Sequence, residues 1–253
     1  MDLQACEQKQ PCLHPGCYSH ITHPCALCGR IRGYAAYNVV EIFESFQGEG
    51  GRQGQWTLFV RFAGCNLSCA FCDTDWTNSM WYSEPELLKR VESSKATYVV
   101  FTGGEPTLQP LTREFLRVLK SGQGVMELGL ETNGTRPGMI FPEYDYVTVS
   151  PKNVHVDLKL ITGCHEKPID EIRLLVTKEG CDFPIFEAID YVDRHIPEAI
   201  NDGFEQPYLY LSPVFEGKKV DIAAVEVIRN IVAGRKHPNI RLSVQMHKLL
   251  NFR

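Results

Sequence analysis

The sequence has no run approaching the roughly 18 uninterrupted apolar residues of a membrane-spanning helix. No apolar signal-peptide core opens it, so the expectation is a cytoplasmic protein. It has no excess of positive charge: 26 Lys and Arg stand against 31 Asp and Glu, a net charge of −5. That argues against a general nucleic-acid-binding face and leaves room for a small local basic patch at most. There is no internal repeat and no low-complexity tract. Cysteine is plentiful, but the spread of a disulfide framework is missing. Of 10 cysteines, five precede residue 29, three lie within 65–72, and Cys164 and Cys181 stand apart, read as ordinary thiols. Tight Cys clusters interleaved with His, without an export signal, fit metal binding in a reducing compartment.

What is present is a chain of 253 residues with 43% hydrophobic content, enough for one large domain or two small ones around a substantial core. Residues 1–36 form a separate block, with Cys6, Cys12, Cys17, Cys25 and Cys28 among His14, His20 and His23 and almost no apolar periodicity. Such a segment needs a staple to fold. Cys25 and Cys28 have the spacing of half a zinc knuckle, and Cys12 or His14 with Cys17 could supply the other half. A flexible tail with free thiols and a second iron–sulfur cluster are the competing readings.

From Tyr37 the pattern changes. Strands are expected over Val39–Phe46, Thr57–Ala63, Thr97–Thr102, Val125–Glu131, Tyr146–Ser150, Glu171–Thr177, Tyr208–Leu211 and Ile240–Gln245. Helices are expected over Glu84–Ser93, with Ser83 as N-cap, Leu111–Lys120, stopped by Gly122, Phe183–Arg194 and Asp221–Ala233. Alternating strands and helices point to parallel βαβ units, about six of them, forming an open partial barrel. Motif-like residues recur just after strand ends, where parallel α/β folds build active sites.

One such stretch, Cys65-x3-Cys69-x2-Cys72, dominates. Three thiolates in one short loop can hold three corners of a cubane iron–sulfur cluster and leave the fourth iron open for a ligand. Buried or redox-labile thiols, or a zinc site with a remote fourth ligand, are the alternatives. Asp73 and Thr74 follow at once, oxygen donors suited to a hard cation such as Mg2+, although Asp73 could equally make an Asx turn. Arg61 lies on an otherwise apolar strand, either ion-paired or poised as a carboxylate clamp. Gly103-Gly104-Glu105-Pro106 exposes backbone acceptors and a carboxylate suited to an ammonium group, or is a tight βα turn. Gln47-Gly48-Glu49-Gly50-Gly51 is a turn whose backbone can approach a ligand closely.

The cysteine loop together with the Gly-Gly-Glu-Pro turn resembles the radical S-adenosylmethionine enzymes. Ser45-Phe46-Gln47-Gly48-Glu49-Gly50, Val60-Arg61-Phe62-Ala63-Gly64-Cys65-Asn66-Leu67, Cys72-Asp73-Thr74, Glu131-Thr132-Asn133-Gly134, Ser150-Pro151-Lys152 and Leu242-Ser243-Val244-Gln245-Met246-His247-Lys248 narrow this. They resemble the 7-carboxy-7-deazaguanine synthase family, over about Tyr37 to Arg253. The resemblance implies ring contraction of 6-carboxy-5,6,7,8-tetrahydropterin to 7-carboxy-7-deazaguanine with loss of ammonia, for queuosine-type nucleosides. It implies a 4Fe–4S cluster, S-adenosylmethionine and Mg2+, a modified, incomplete (β/α)6-type barrel over 37–253, a homodimer, and a one-electron donor such as flavodoxin or ferredoxin.

Carried over by position, Cys65, Cys69 and Cys72 hold the cluster and Thr74 the Mg2+. Phe71, Asp73, Gly104, Glu131, Ser150, Pro151 and Lys152 meet S-adenosylmethionine. Phe46, Gln47, Gly48, Glu49, Arg61, Thr102, Gln245, His247 and Arg253 meet the pterin, with Gln245 and His247 otherwise read as strand-end residues. Ser212-Pro213 stands where many relatives have Gln-Pro, and the 1–36 block, with Cys12, Cys17, Cys25 and Cys28 as its candidate zinc ligands, has no counterpart. The competing functions are a radical activase, which makes a glycyl radical on a partner protein and needs the cysteine loop but neither Gln47 nor Thr74, and a Cys-rich metal-binding interaction protein.

Overall fold

The structure, a computed structural model, describes residues 23–24, 29–31, 33–69, 72, 75, 78–122, 124, 127–152, 169–181, 183–190, 192–193, 207–234 and 239–252. It is a mixed α/β fold with a largely parallel sheet. The strands in chain order are β1 (Arg30–Ile31), β2 (Tyr34–Phe46), β3 (Trp56–Phe62), β4 (Met80–Ser83), β5 (Tyr98–Gly103), β6 (Glu127–Thr132), β7 (Tyr146–Val149), β8 (Glu171–Thr177), β9 (Gly180–Cys181), β10 (Tyr208–Pro213), β11 (Phe215–Glu216), β12 (Lys219–Val220) and β13 (Ile240–Leu242). The main path runs β1-β2-β3-β5-β6-β7-β8-β10-β13. From β3 to β13 it is made of six consecutive parallel pairings.

The helices are α1 (Glu84–Glu92), α2 (Arg113–Ser121), α3 (residues 185–190), α4 (Ile222–Gly234) and α5 (Met246–Leu250). Helix α1 starts where the sequence places it: the Ser83 backbone N–H donates to Glu86 at 2.8 Å, half of a capping box, and Pro85 sits in the first turn. Helix α2 begins at Arg113, later than expected, because the Thr112 hydroxyl caps the Phe115 N–H at 3.1 Å.

Period-two alternation divides each strand between two environments. One face carries Val60, Phe62, Val99, Phe101, Leu128, Leu130, Leu174 and Leu211, which join Leu87, Phe115, Leu119 and Ile228 of the helices in the main core. The other face carries a small cluster of Phe59, Tyr98, Val100 and Tyr146, and above it a polar layer with Thr102, Glu131 and Arg173.

Four features depart from the sequence reading. Strand β2 begins at Tyr34 and pairs with β1, so the sheet takes in the end of the Cys/His-rich block. Strand β4 was not anticipated; it pairs antiparallel with β2 and covers its edge. The last strand stops at Leu242, and Gln245 is the N-cap of α5, which carries His247 and Lys248. The cause is tertiary: the Met246 N–H donates to Gly48 O at 3.0 Å, and the Gly50 N–H to Ser243 Oγ at 3.0 Å. These bonds turn the chain and tie the segment after β13 to the turn that follows β2.

The fourth departure concerns the Gln47–Gly51 turn. Its glycines pack on protein rather than opening toward a ligand. A Cβ on Gly50, whose φ is +69°, would lie 2.6 Å from the Glu171 carboxyl carbon. One on Gly51 would strike the Tyr146 hydroxyl, and one on Gly48 the His247 ring. The turn therefore threads into the sheet's concavity. Arg52 then reaches the strands' N-terminal ends, forking onto Glu127 at 3.1 Å for both bonds. Its guanidinium lies over the rings of Tyr98 and Tyr146, 5.3 and 4.8 Å from their centroids.

Candidate active site

The C-terminal ends of β3, β5, β6, β7, β8 and β10 surround a single cavity of about 270 Å3. Cys65, Cys69 and Cys72 border it, with Thr102, Gly104, Glu131, Ser150, Lys152, Glu49 and Gln245. Ten of the residues singled out from sequence thus meet in one place, although they come from six separate segments of chain.

The Cys65 loop is positioned by backbone splicing. The Gly104 N–H donates to Phe62 O at 3.0 Å and the Glu105 N–H to Gly64 O at 2.8 Å. The two segments lie so close that a Cβ on Gly104 would be 2.6 Å from the Gly64 carbonyl carbon. Glycine is required here for contact with the cysteine loop, whatever else the turn binds.

Glu105 does not offer its charge to the cavity, as the sequence reading expected. It is fully buried. Its carboxylate accepts from the Thr107 N–H and hydroxyl at 3.0 and 2.6 Å, the Thr132 hydroxyl at 2.7 Å and the Asn133 N–H at 2.7 Å. It braces the end of β5 against the end of β6. Asn133, so held, donates its amide to Asn66 Oδ1 at 3.0 Å and to Cys65 Sγ at 3.9 Å. The Leu67 N–H reaches the same sulfur at 3.4 Å. Burial pushes the Cys65 thiol above its ordinary value, with Glu105 and Cys72 adding to the rise and the Leu67 and Asn133 donors opposing it.

Cys65, Cys69 and Cys72 are free thiols. Among the described residues no three His, Cys, Asp or Glu converge as a mononuclear metal site would. Three soft sulfur donors around a common cavity, one of them receiving N–H donors as cluster thiolates do, suit an iron–sulfur cluster.

Behind the cavity lining, Gln47 is buried and its amide donates to Oε1 of the lining residue Glu131 at 3.0 Å. Thr102 donates to Glu131 Oε2 at 3.0 Å. Glu49 accepts from Gln245. Burial would raise the Glu49 carboxyl, but Arg173, Gln245, His247 and Lys152 outweigh it and hold the group below the usual carboxylate range.

Arg61 sits beside Thr102 in register and on the same face, but its Nε bonds Glu41 at 2.9 Å and its guanidinium lies over Phe43. Phe46 is 46% exposed, its ring against Trp56 and Phe252 outside the cavity. Pro151 is buried beside Ser150, whose N–H donates to Thr132 O at 2.8 Å. The Ser212 hydroxyl, at the end of β10, is buried with no hydrogen-bond partner. Phe71, Asp73, Thr74, Arg253, Cys12, Cys17, Cys25 and Cys28 lie outside the described residues.

Sequence reasoning missed Arg173 and Asn133. Arg173 is 11% exposed at the side chain and contacts Glu49, Glu131 and Glu171. Its signal was available: Glu171 and Arg173 alternate on one face of an otherwise apolar strand, which demands a polar interior on that side.

Comparison with known proteins fits this geometry. Residues 59–176 match the Radical SAM superfamily. The chain is 33% identical over 218 residues to a 7-carboxy-7-deazaguanine synthase of Haemophilus influenzae, spanning 85% of this chain and 93% of that one. It is 35% identical over 216 residues to the protein of the same name from Neisseria meningitidis, spanning 84% and 92%. The crystal structure of QueE from Escherichia coli superposes with a TM-score of 0.60 at 25% identity, over 84% of this chain and 95% of that one. With nearly the full length of these relatives matched and the three cysteines gathered at one cavity, the chain belongs to the 7-carboxy-7-deazaguanine synthase family of radical S-adenosylmethionine enzymes.

Proposed function

We propose that the substrate from which this chain forms 7-carboxy-7-deazaguanine is 6-carboxy-5,6,7,8-tetrahydropterin, contracted with release of ammonia. The observation that carries the reading is that one cavity is bordered both by Cys65, Cys69 and Cys72 and by a polar set of Glu49, Thr102 and Glu131. A redox cofactor and a hydrogen-bonding heterocycle fit side by side in such a site. A bound 4Fe–4S cluster with S-adenosylmethionine supplies the one-electron chemistry that removes a substrate hydrogen.

The chain's own residues do the rest. Cys65, Cys69 and Cys72 hold the cluster. Gly104, Ser150, Pro151 and Lys152, with Phe71 and Asp73, would hold S-adenosylmethionine, and Thr74 would hold Mg2+. Gln47, Gly48, Glu49, Thr102, Gln245, His247 and Arg253 grip the pterin, with Phe46 contributing through its backbone. Glu131 bonds Gln47 and Thr102, which supports moving it from the S-adenosylmethionine set to the pterin set. Arg61 serves the carboxylate as half of a preformed pair with Glu41. Such fixed dipoles keep the target carbon within reach of an indiscriminate radical, about 3–3.5 Å between reacting atoms. They also exclude water.

We assign residues 37–253 to the catalytic domain, an incomplete barrel; the bonds from Met246 to Gly48 and from Gly50 to Ser243, which tie the segment after β13 to the turn after β2, support this. A homodimer, a flavodoxin or ferredoxin donor, a cytoplasmic location, queuosine-type use of the product and zinc in the 1–36 extension complete the reading. Among the described residues no helix is long and apolar enough to cross a membrane.

The test is anaerobic reconstitution of the full chain, then incubation with the pterin, S-adenosylmethionine, Mg2+ and a reductant. Formation of 7-carboxy-7-deazaguanine is expected. Cofactor cleavage with no deazapurine would refute the substrate assignment and return the chain to the activase reading.

A further inference from the structure

Resting on that reading, we infer that Arg173 is the positioning residue of the pterin subsite, its one buried guanidinium locking the two carboxylates that orient Gln47 and Gln245.

Arg173 is the point where three parts of the chain meet. Its Nη2 lies 2.6 Å from Glu171 Oε1 and its Nε donates to the same oxygen at 2.8 Å. Its Nη1 donates to Glu49 Oε2 at 2.9 Å and lies 3.4 Å from Glu131 Oε1. The three carboxylates then divide by role. Glu171 is fully buried and spends its other oxygen on the Gly51 N–H at 2.8 Å and the Tyr146 hydroxyl at 2.9 Å. It has no capacity left for a ligand and serves as the anchor that aims the guanidinium.

Glu49 and Glu131 both border the cavity, and each directs an amide. Glu131 takes the Gln47 NH2, while the Gln47 oxygen accepts the Glu49 N–H at 3.2 Å, so both ends of that amide are fixed. Glu49 takes the Gln245 NH2 from the C-terminal segment. A freely rotating amide presents donor and acceptor alternately; one tied at both ends presents a single face. Arg173 bridges the two carboxylates that do the tying. Three acidic side chains on one cation need a planar fork with several donors, which Lys cannot reproduce. Without it, two acids of like charge would face each other across the cavity wall and separate.

The experiment compares full-length, reconstituted wild type with Arg173→Lys, Arg173→Gln, Glu49→Gln and the Arg173→Gln/Glu49→Gln pair. Read out are cluster content, S-adenosylmethionine affinity by equilibrium dialysis, and KM and kcat for 6-carboxytetrahydropterin. Arg173→Lys is expected to raise the pterin KM about 10- to 100-fold, the range for residues that orient a ligand-binding group, with cluster content and cofactor affinity retained. The double variant is expected to lose less than the product of the single losses, because the two residues act as a unit. A wild-type KM in Arg173→Lys, or a fall in cofactor affinity equal to that in the pterin's, overturns the inference, as do single losses that multiply. Should Arg173→Gln not fold, Arg173→Lys alone decides. Absence of turnover by the wild type is a different result: it refutes the substrate assignment and the inference with it.

Discussion

Replacing Gly104 with alanine should dislocate the cysteine loop while leaving the rest of the sheet intact. The new Cβ would stand 2.6 Å from the Gly64 carbonyl carbon and 3.2 Å from the Cys65 nitrogen, both rigid backbone atoms. No side-chain rotation can relieve that overlap, so the two segments must part. Parting them breaks the bonds from the Gly104 N–H to Phe62 O and from the Glu105 N–H to Gly64 O. Each is worth about 1 kcal/mol net. Overpacking adds about 1–3 kcal/mol, and the sum is about 3–5 kcal/mol if nothing compensates. Because Cys65 follows Gly64 directly, the same movement displaces a thiol proposed to hold the cluster. Urea denaturation of the chain measures the stability loss, and iron and sulfide content with electron paramagnetic resonance after anaerobic reconstitution measures the site. The expected result is a loss of stability in this range with sub-stoichiometric iron. A variant with wild-type stability and a full cluster would refute the claim that this glycine exists for backbone contact.

Glu105→Gln keeps the size of the side chain but turns one acceptor oxygen into a donor facing protein N–H or hydroxyl donors, so it should cost about 2–4 kcal/mol in denaturant titrations and loosen Asn133. Asn133→Ala removes the amide that reaches Cys65 Sγ, so the cluster midpoint potential, measured by redox titration, should move to a more negative value. Arg52→Met removes the fork to Glu127 and the stacking on Tyr98 and Tyr146, with an expected loss of about 1–3 kcal/mol by thermal unfolding and a cluster that still assembles, since Arg52 lies at the opposite end of the strands. Acid stability should follow Glu49: its carboxyl is held below the ordinary range, so its stabilising share is complete above that range and is lost as pH falls through the lowered value. In Arg173→Lys burial is opposed less strongly, so the share of stability that Glu49 loses on acidification, followed by circular dichroism against pH, should shrink.

Some assignments needed nothing beyond neighbouring residues. The Cys65–Cys72 spacing, the Ser83 cap with Glu86, and the apolar runs from Tyr98 and Tyr146 are encoded over a few positions, and their local physics is the same in any fold. Other assignments reversed when distant partners arrived. Arg61 was read as either ion-paired or a clamp, and the choice depended on Glu41, which lies on the neighbouring antiparallel strand. Glu105 looked like a charge offered to a ligand until Thr132 and Asn133, on another strand end, turned out to claim it. The glycines after Gln47 looked like ligand space, yet Glu171 and Tyr146 fill it. The expected last strand was cut short because Met246 bonds to Gly48.

The sequence by itself determined the chemistry of this protein: three sulfur donors in one loop, a glycine-rich turn after the next apolar strand, and alternating elements that put both at strand ends. Those are properties of spacing, and spacing is one-dimensional. The tertiary structure decided which charges face one another. Arg173 lies far along the chain from Glu49, and Gln245 far from both; only the parallel register and the course of the Gln47–Arg52 turn bring them together. Pairing among buried charges depends on ångström distances in a poorly screened interior, and those distances exist only once the parallel strands and the Gln47–Arg52 turn have come together.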